Sequence, residues 1–180
     1  STIARFDNVF DFADRGNVQV DSPALPATYS ATEGRFLAVS FQKRAGPAQR
    51  MAQTVTLDAA AATLRWDMRY ANHHGSFVDG VQDVQVTVRD PGTAAVLPGG
   101  TIFRTSEGVD PPSVPAMTAF SADLSAFAGR TVEVSFDVNA AIDASPFLGI
   151  DVAIDRVRVH DGAGAEVPGD RDADGVPDVV

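Results

Sequence analysis

Asp170, Asp172 and Asp174 alternate along the stretch DRDADGVPD, with Gly175 next and Asp178 three residues further on. Calcium takes six to eight oxygen ligands. A loop with carboxylates at its first, third and fifth positions, and a glycine at the sixth for the sharp turn, wraps those oxygens around one ion. The spacing predicts such a loop, with Asp170, Asp172, Asp174, Val176 and Asp178 as ligands and Ca2+ as the one cofactor. A twelve-residue loop would close with a glutamate at position 181, beyond Val180, so a further oxygen has to come from the rest of the chain or from another chain. Blocks of like charge are more often solvated tails. The glycine at the sixth position is what favours the ion here.

Other residues with chemical potential point less clearly. Asn72-His73-His74-Gly75 is the one histidine cluster, with Asp67 and Asp79 close in sequence. Adjacent side chains of an extended segment point to opposite sides, which suits a shared metal badly, so the pair reads as loop decoration. The chain contains no G-x-S-x-G elbow, H-E-x-x-H helix or phosphate-binding glycine loop, and no catalysis is expected of it. Sugar rings stack on flat aromatic faces. Trp66 and Tyr70 share an alternating face with Leu64 and Met68 and read as core, which leaves Tyr29 and Phe77 as ligand-binding candidates.

The elements that must carry these residues are strands. Leu64, Trp66, Met68 and Tyr70 alternate with Thr63, Arg65, Asp67 and Arg69. Val84, Val86 and Val88, and then Val132, Val134, Phe136 and Val138, repeat the pattern. This is the period of a strand with one buried face. Weaker strand signals lie at 17–20, 36–41, 53–58, 94–97, 101–103 and 117–124, and residues 59–63 read as a helical turn or a strand entry. Turn residues separate them, Pro98-Gly99-Gly100 among them. Many short strands without a sustained helical period predict an all-β, antiparallel sandwich. In the last strand Ile150, Val152 and Ile154 fall on even positions but Val157 and Val159 on odd ones, which predicts a bulge or bend at Asp155.

The whole-chain properties set the class. The chain has 180 residues, enough for one domain and a tail, divided here as a sandwich over 1–162 and a Gly/Asp-rich tail over 163–180. With 24 acidic against 14 basic residues the net charge is -10, which repels nucleic acid and anionic membrane surfaces. The absence of cysteine excludes disulfides and thiolate metal sites. No apolar run approaches the roughly 20 residues that span a bilayer. The start, STIARF, has no initiator methionine and reads as a processed or trimmed end, as a removed export signal would leave.

Three stretches carry a resemblance: TEGRFLAVS (Thr32 to Ser40), DLSAFAGRTVEVSFDV (Asp123 to Val138) and FLGIDVAIDRVRVH (Phe147 to His160). They resemble the jelly-roll sandwiches of secreted bacterial proteins, a group that includes carbohydrate-binding modules and surface-anchored domains. The resemblance implies a structural calcium bound by the Asp of the closing strand, here Asp155, with further ligands from FDNVFDFADRGN, where Asp7, Asp11 and Asp14 are the candidates. The second acidic position of that pattern is Arg156 in this chain. The tail resembles the calcium loops of thrombospondin type 3 repeats, including their GVPD.

Together these readings predict a secreted or cell-surface, calcium-stabilised structural or adhesive protein. It would associate with itself or with other surface proteins; the N-terminal STIARFDNVFDF could add to a neighbour's sheet edge, but packing of Ile3, Phe6, Val9, Phe10 and Phe12 into the chain's own sandwich is the first expectation for it. A calcium-dependent carbohydrate-binding module, with glycans as partners, is the second expectation.

Overall fold

The computed structural model describes residues 12–15, 18–20, 27–29, 32, 37–41, 48–142 and 149–165. The strands in chain order are β1 (Phe12–Arg15), β2 (Val18–Val20), β3 (Ala27–Tyr29), β4 (Leu37–Phe41), β5 (Gln49–Thr56), β6 (Ala61–Asn72), β7 (Gln82–Arg89), β8 (Val96–Arg104), β9 (Ser113–Asp123), β10 (Thr131–Ala140) and β11 (Ile150–Asp161). One 3-10 turn, Ser125–Phe127, precedes β10.

Two antiparallel sheets hold these strands, one in the order β1-β4-β11-β6-β9 and the other in the order β5-β10-β7-β8, while β2 and β3 pair separately. From β4 to β11 the chain passes from sheet to sheet at every step except the β7–β8 connection. This is the jelly-roll wind that strand alternation predicts, with a buried face on each sheet.

The alternating residues make the core. Leu64, Trp66, Met68 and Tyr70 from one sheet meet Val84, Val86, Val88, Val132, Phe136 and Val138 from the other, all with 2% exposure or less. Burying one such side chain contributes about 1.5–3 kcal/mol. Trp66 stacks on its cross-strand neighbour Phe120 at 5.9 Å and meets Phe103 and Phe136 edge-on, so one indole joins β6, β8, β9 and β10. Tyr70 is equally enclosed, and burial, with the nearby Asp110 carboxylate adding to it, pushes its hydroxyl up to about 12.

Two local expectations need correction. Pro98-Gly99-Gly100 does not separate two strands: β8 runs through it, with register shifts against β7 on either side of Thr87. Glycine serves a bulge as readily as a turn, and here Gly100 lies so close to β7 that a Cβ would meet the Val88 carbonyl oxygen at 2.4 Å. In β11 the register against β6 slips between Asp155 and Arg158, as the phase change predicts. The slip, however, puts Val157 at the surface, and only Val159 packs against the core.

Candidate functional site

The outward face of the four-stranded sheet carries the largest polar assembly among the described residues. Register alone sets its rows. Arg50, Asp137, Gln85 and Arg104 lie side by side across β5, β10, β7 and β8. Ala52, Ser135, Thr87 and Thr101 form the next row, and Thr54, Glu133 and Arg89 the one after. Because side chains alternate, every second residue that leaves the core face of these strands arrives here.

Asp137 is the centre of this face. It is 3% exposed. Arg50 Nε donates to its Oδ1 at 2.6 Å, and Arg89 Nη2 and the Thr87 hydroxyl donate to its Oδ2 at 2.9 and 3.0 Å. Burial works against its charge, but the hydrogen bonds and positive charges of Arg50 and Arg89 outweigh that and hold the carboxyl below its ordinary range. Arg89 also donates Nε to the Ser135 hydroxyl at 3.0 Å and Nη1 to the Ala94 carbonyl, so its guanidinium lies fixed across the hydroxyl row. Beside it Asp83, with no exposed surface, accepts from Asn139 at 2.6 Å, from Gln85 at 2.9 Å and from the Gly80 backbone. Arg104 sits 3.4 Å from that carboxylate and 3.6 Å from Asp79.

Besides Arg104, whose buried Nε has no hydrogen-bond partner, two groups of this face keep bonding capacity. Arg50 uses Nε on Asp137, and with its side chain 35% exposed its two Nη groups remain as donors. Glu133 Oε1 is a buried acceptor without a hydrogen-bond partner. Register sets Glu133 four residues along β10 from Asp137, the partner of Arg50, so the free donor and the free acceptor are about 13 Å apart along the strands and suit two different hydroxyls of an extended ligand. The charges balance: Arg50, Arg89 and Arg104 against Asp83, Glu133 and Asp137.

None of the residues expected from sequence is described on this face. Asp7, Asp170, Asp172, Asp174, Val176 and Asp178 lie outside the described residues, as does the proposed tail beyond Ala165. Tyr29 ends β3, of which the backbone alone is described. Phe77 is a correction: it is 1% exposed and packs edge-on against Tyr70 at 5.6 Å, so its ring offers no face to a ligand. The segment that holds it reads as a loop, yet the ring closes the sandwich end. Among the aromatic residues whose side chains are described, Trp66, Tyr70, Phe77, Phe127 and Phe136 are buried and Phe103 and Phe120 half-buried, and none of these offers an exposed platform. His73 and His74 part company as expected, His73 Nε2 to buried Asp151 at 3.2 Å and His74 Nδ1 to the Ser76 carbonyl at 3.3 Å.

Asp155 is 2.6 Å from the Thr32 backbone nitrogen through Oδ2 and 2.8 Å from its neighbour's nitrogen, Arg156 N, through Oδ1. It stands in register with Asp67 on β6, whose Oδ2 meets the Thr32 hydroxyl at 2.8 Å and Arg156 Nη1 at 3.3 Å. Among the described residues no three His, Asp, Glu or Cys side chains gather as a metal would require.

Sequence reasoning could find the outward positions of β7 and β10, because alternation exposes them. It missed Arg50, which lies before the segment read as a strand at 53–58, and it had no signal for the Arg50–Asp137–Arg89 bridge.

No protein-family model and no curated protein matches the sequence. Among solved structures the chain is similar to a variant of a family 29 carbohydrate-binding module, at 12% identity and a TM-score of 0.39, over 83% of this chain and 79% of that one. It is also similar to a second family 29 variant, made to probe ligand recognition, at 12% identity and a TM-score of 0.43, over 99% and 96%. Likeness at this level assigns neither family nor ligand to this chain.

Proposed function

We propose that the chain is a non-catalytic glycan-binding module whose ligand lies across the outward face of β5, β10, β7 and β8. One observation carries the reading: a sheet face on which buried Asp137 fixes two guanidinium groups while Arg50 Nη and Glu133 Oε1 keep free bonding capacity. Groups held in place before binding lose little freedom when a ligand arrives. Glycan hydroxyls accept from the guanidinium and donate to the carboxylate. The two buried carboxylates of this face, Asp83 and Asp137, are each held by several donors, which leaves neither to act as a base. This reading reverses the order of the sequence expectations, which set a calcium-stabilised building block first.

The test is affinity gel electrophoresis of the purified chain against a panel of neutral and acidic polysaccharides. Retardation that Arg50→Gln and Glu133→Gln each reduce at least fivefold, in chains whose Trp66 fluorescence shows them folded at the assay temperature, supports the reading. Migration unaffected by every polysaccharide, or retardation that both substitutions leave intact, refutes it.

A building block remains the second reading, favoured by β9. This strand lies at the sheet edge, runs for 11 residues and carries one charge, Asp123. Long edges with little charge are the ones that pair with another chain.

A further inference from the structure

The resemblance of the closing strand puts a structural calcium at Asp155, and the geometry there points to a different device, independent of the glycan face. We infer that Arg156, with Thr32, does the work of the cation, so that the Asp67–Asp155 pair is a metal-free clamp. Asp67 and Asp155 are direct cross-strand neighbours on β6 and β11. Like charges placed opposite each other destabilise a sheet unless something neutralises or bridges them. Calcium would do so with six to eight oxygens at 2.3–2.6 Å.

The described atoms that meet this pair are donors. Thr32 N–H donates to Asp155 Oδ2 at 2.6 Å, and the Thr32 hydroxyl lies 2.8 Å from Asp67 Oδ2 and 3.0 Å from Asp155 Oδ2, with one proton to give to either. Arg156 donates its backbone N–H to Asp155 Oδ1 at 2.8 Å and its Nη1 to Asp67 Oδ2 at 3.3 Å. Donors in these positions compete with a metal for the same lone pairs. A positive guanidinium 3.3 Å from one carboxylate also repels a second cation.

The bulge explains how Arg156 gets there. In a regular strand consecutive side chains point to opposite faces, so the residue after Asp155 would point into the core side of the sheet. The extra residue between Asp155 and Arg158, with Arg156 at φ 52°, turns that side chain back to the face where Asp67 lies. A left-handed backbone at a non-glycine residue costs about 1 kcal/mol or more. Here it accompanies the placement of a cation beside two carboxylates.

The experiment uses the full chain with the tail loop silenced by Asp170→Asn and Asp174→Asn, with and without Asp155→Asn, melted in EGTA and in millimolar calcium. The clamp predicts that calcium shifts both chains equally, or neither. It also predicts that Arg156→Gln lowers the melting temperature by roughly 1–3 °C in EGTA, the size expected for a half-exposed pair. A calcium-induced rise that Asp155→Asn abolishes while Arg156 is intact overturns the inference, as does an Arg156→Gln chain that melts like its parent. Should Asp155→Asn fail to fold, Asp67→Asn takes its place in the same comparison.

Discussion

Replacing Asp137 by asparagine keeps the shape of the polar face and removes the charge that holds it. Two guanidinium groups, Arg50 Nε at 2.6 Å and Arg89 Nη2 at 2.9 Å, lose their shared counter-ion. Breaking one partner out of a buried pair costs about 3–5 kcal/mol. Arg50 is 35% exposed and regains water, whereas Arg89 is only 14% exposed, so the lower end, about 3 kcal/mol, is the expectation. For a chain of this length that lowers the melting temperature by roughly 6–12 °C. Trp66, with 1% exposure and no second tryptophan to dilute it, reports unfolding by fluorescence.

The same substitution has a pH signature. Folding holds the Asp137 carboxyl below its ordinary value, because Arg50 and Arg89 outweigh the opposing effect of burial. Protons therefore bind the unfolded chain more readily at this group. Its contribution is complete above the unfolded value of about 4 and is lost as pH falls through the depressed folded value. The gap between parent and Asp137→Asn should stay constant from neutral pH to about 5 and close below about 4. A melting temperature within about 2 °C of the parent at neutral pH, or a gap that widens in acid, refutes the reasoning.

Phe77→Ala should cost about 3–5 kcal/mol in urea denaturation while leaving polysaccharide retardation of the residual folded protein unchanged, since the ring fills the core beside Tyr70. Gly100→Ala forces a methyl group to within 2.4 Å of the Val88 carbonyl oxygen, and the expected loss of at least about 2 kcal/mol by denaturation tests the close approach of β8 to β7. Size-exclusion chromatography with light scattering should return a monomer in calcium and in chelator alike. Growth in calcium alone would favour the building-block reading and the tail loop as its joint.

Alternation in the sequence is enough to determine strands that each bury one face. The apolar positions of β6, β7 and β10 can be buried together only if each segment is a strand with one face inward, and a side-chain period of two leaves no other arrangement. The phase slip after Ile154 likewise marks a bulge, because the backbone cannot change face without an extra residue. Tertiary structure decided what those strands bring together. Arg50, Arg89 and Asp137 are 39 and 48 residues apart in succession, and they meet only because β10 lies between β5 and β7. Asp67 faces Asp155 across 88 residues for the same reason. Phe77 turned inward although its segment reads as a loop. Periodicity records which face a residue occupies, a local property, whereas the neighbour on that face depends on strand order and register, which many sequences with the same pattern could satisfy differently.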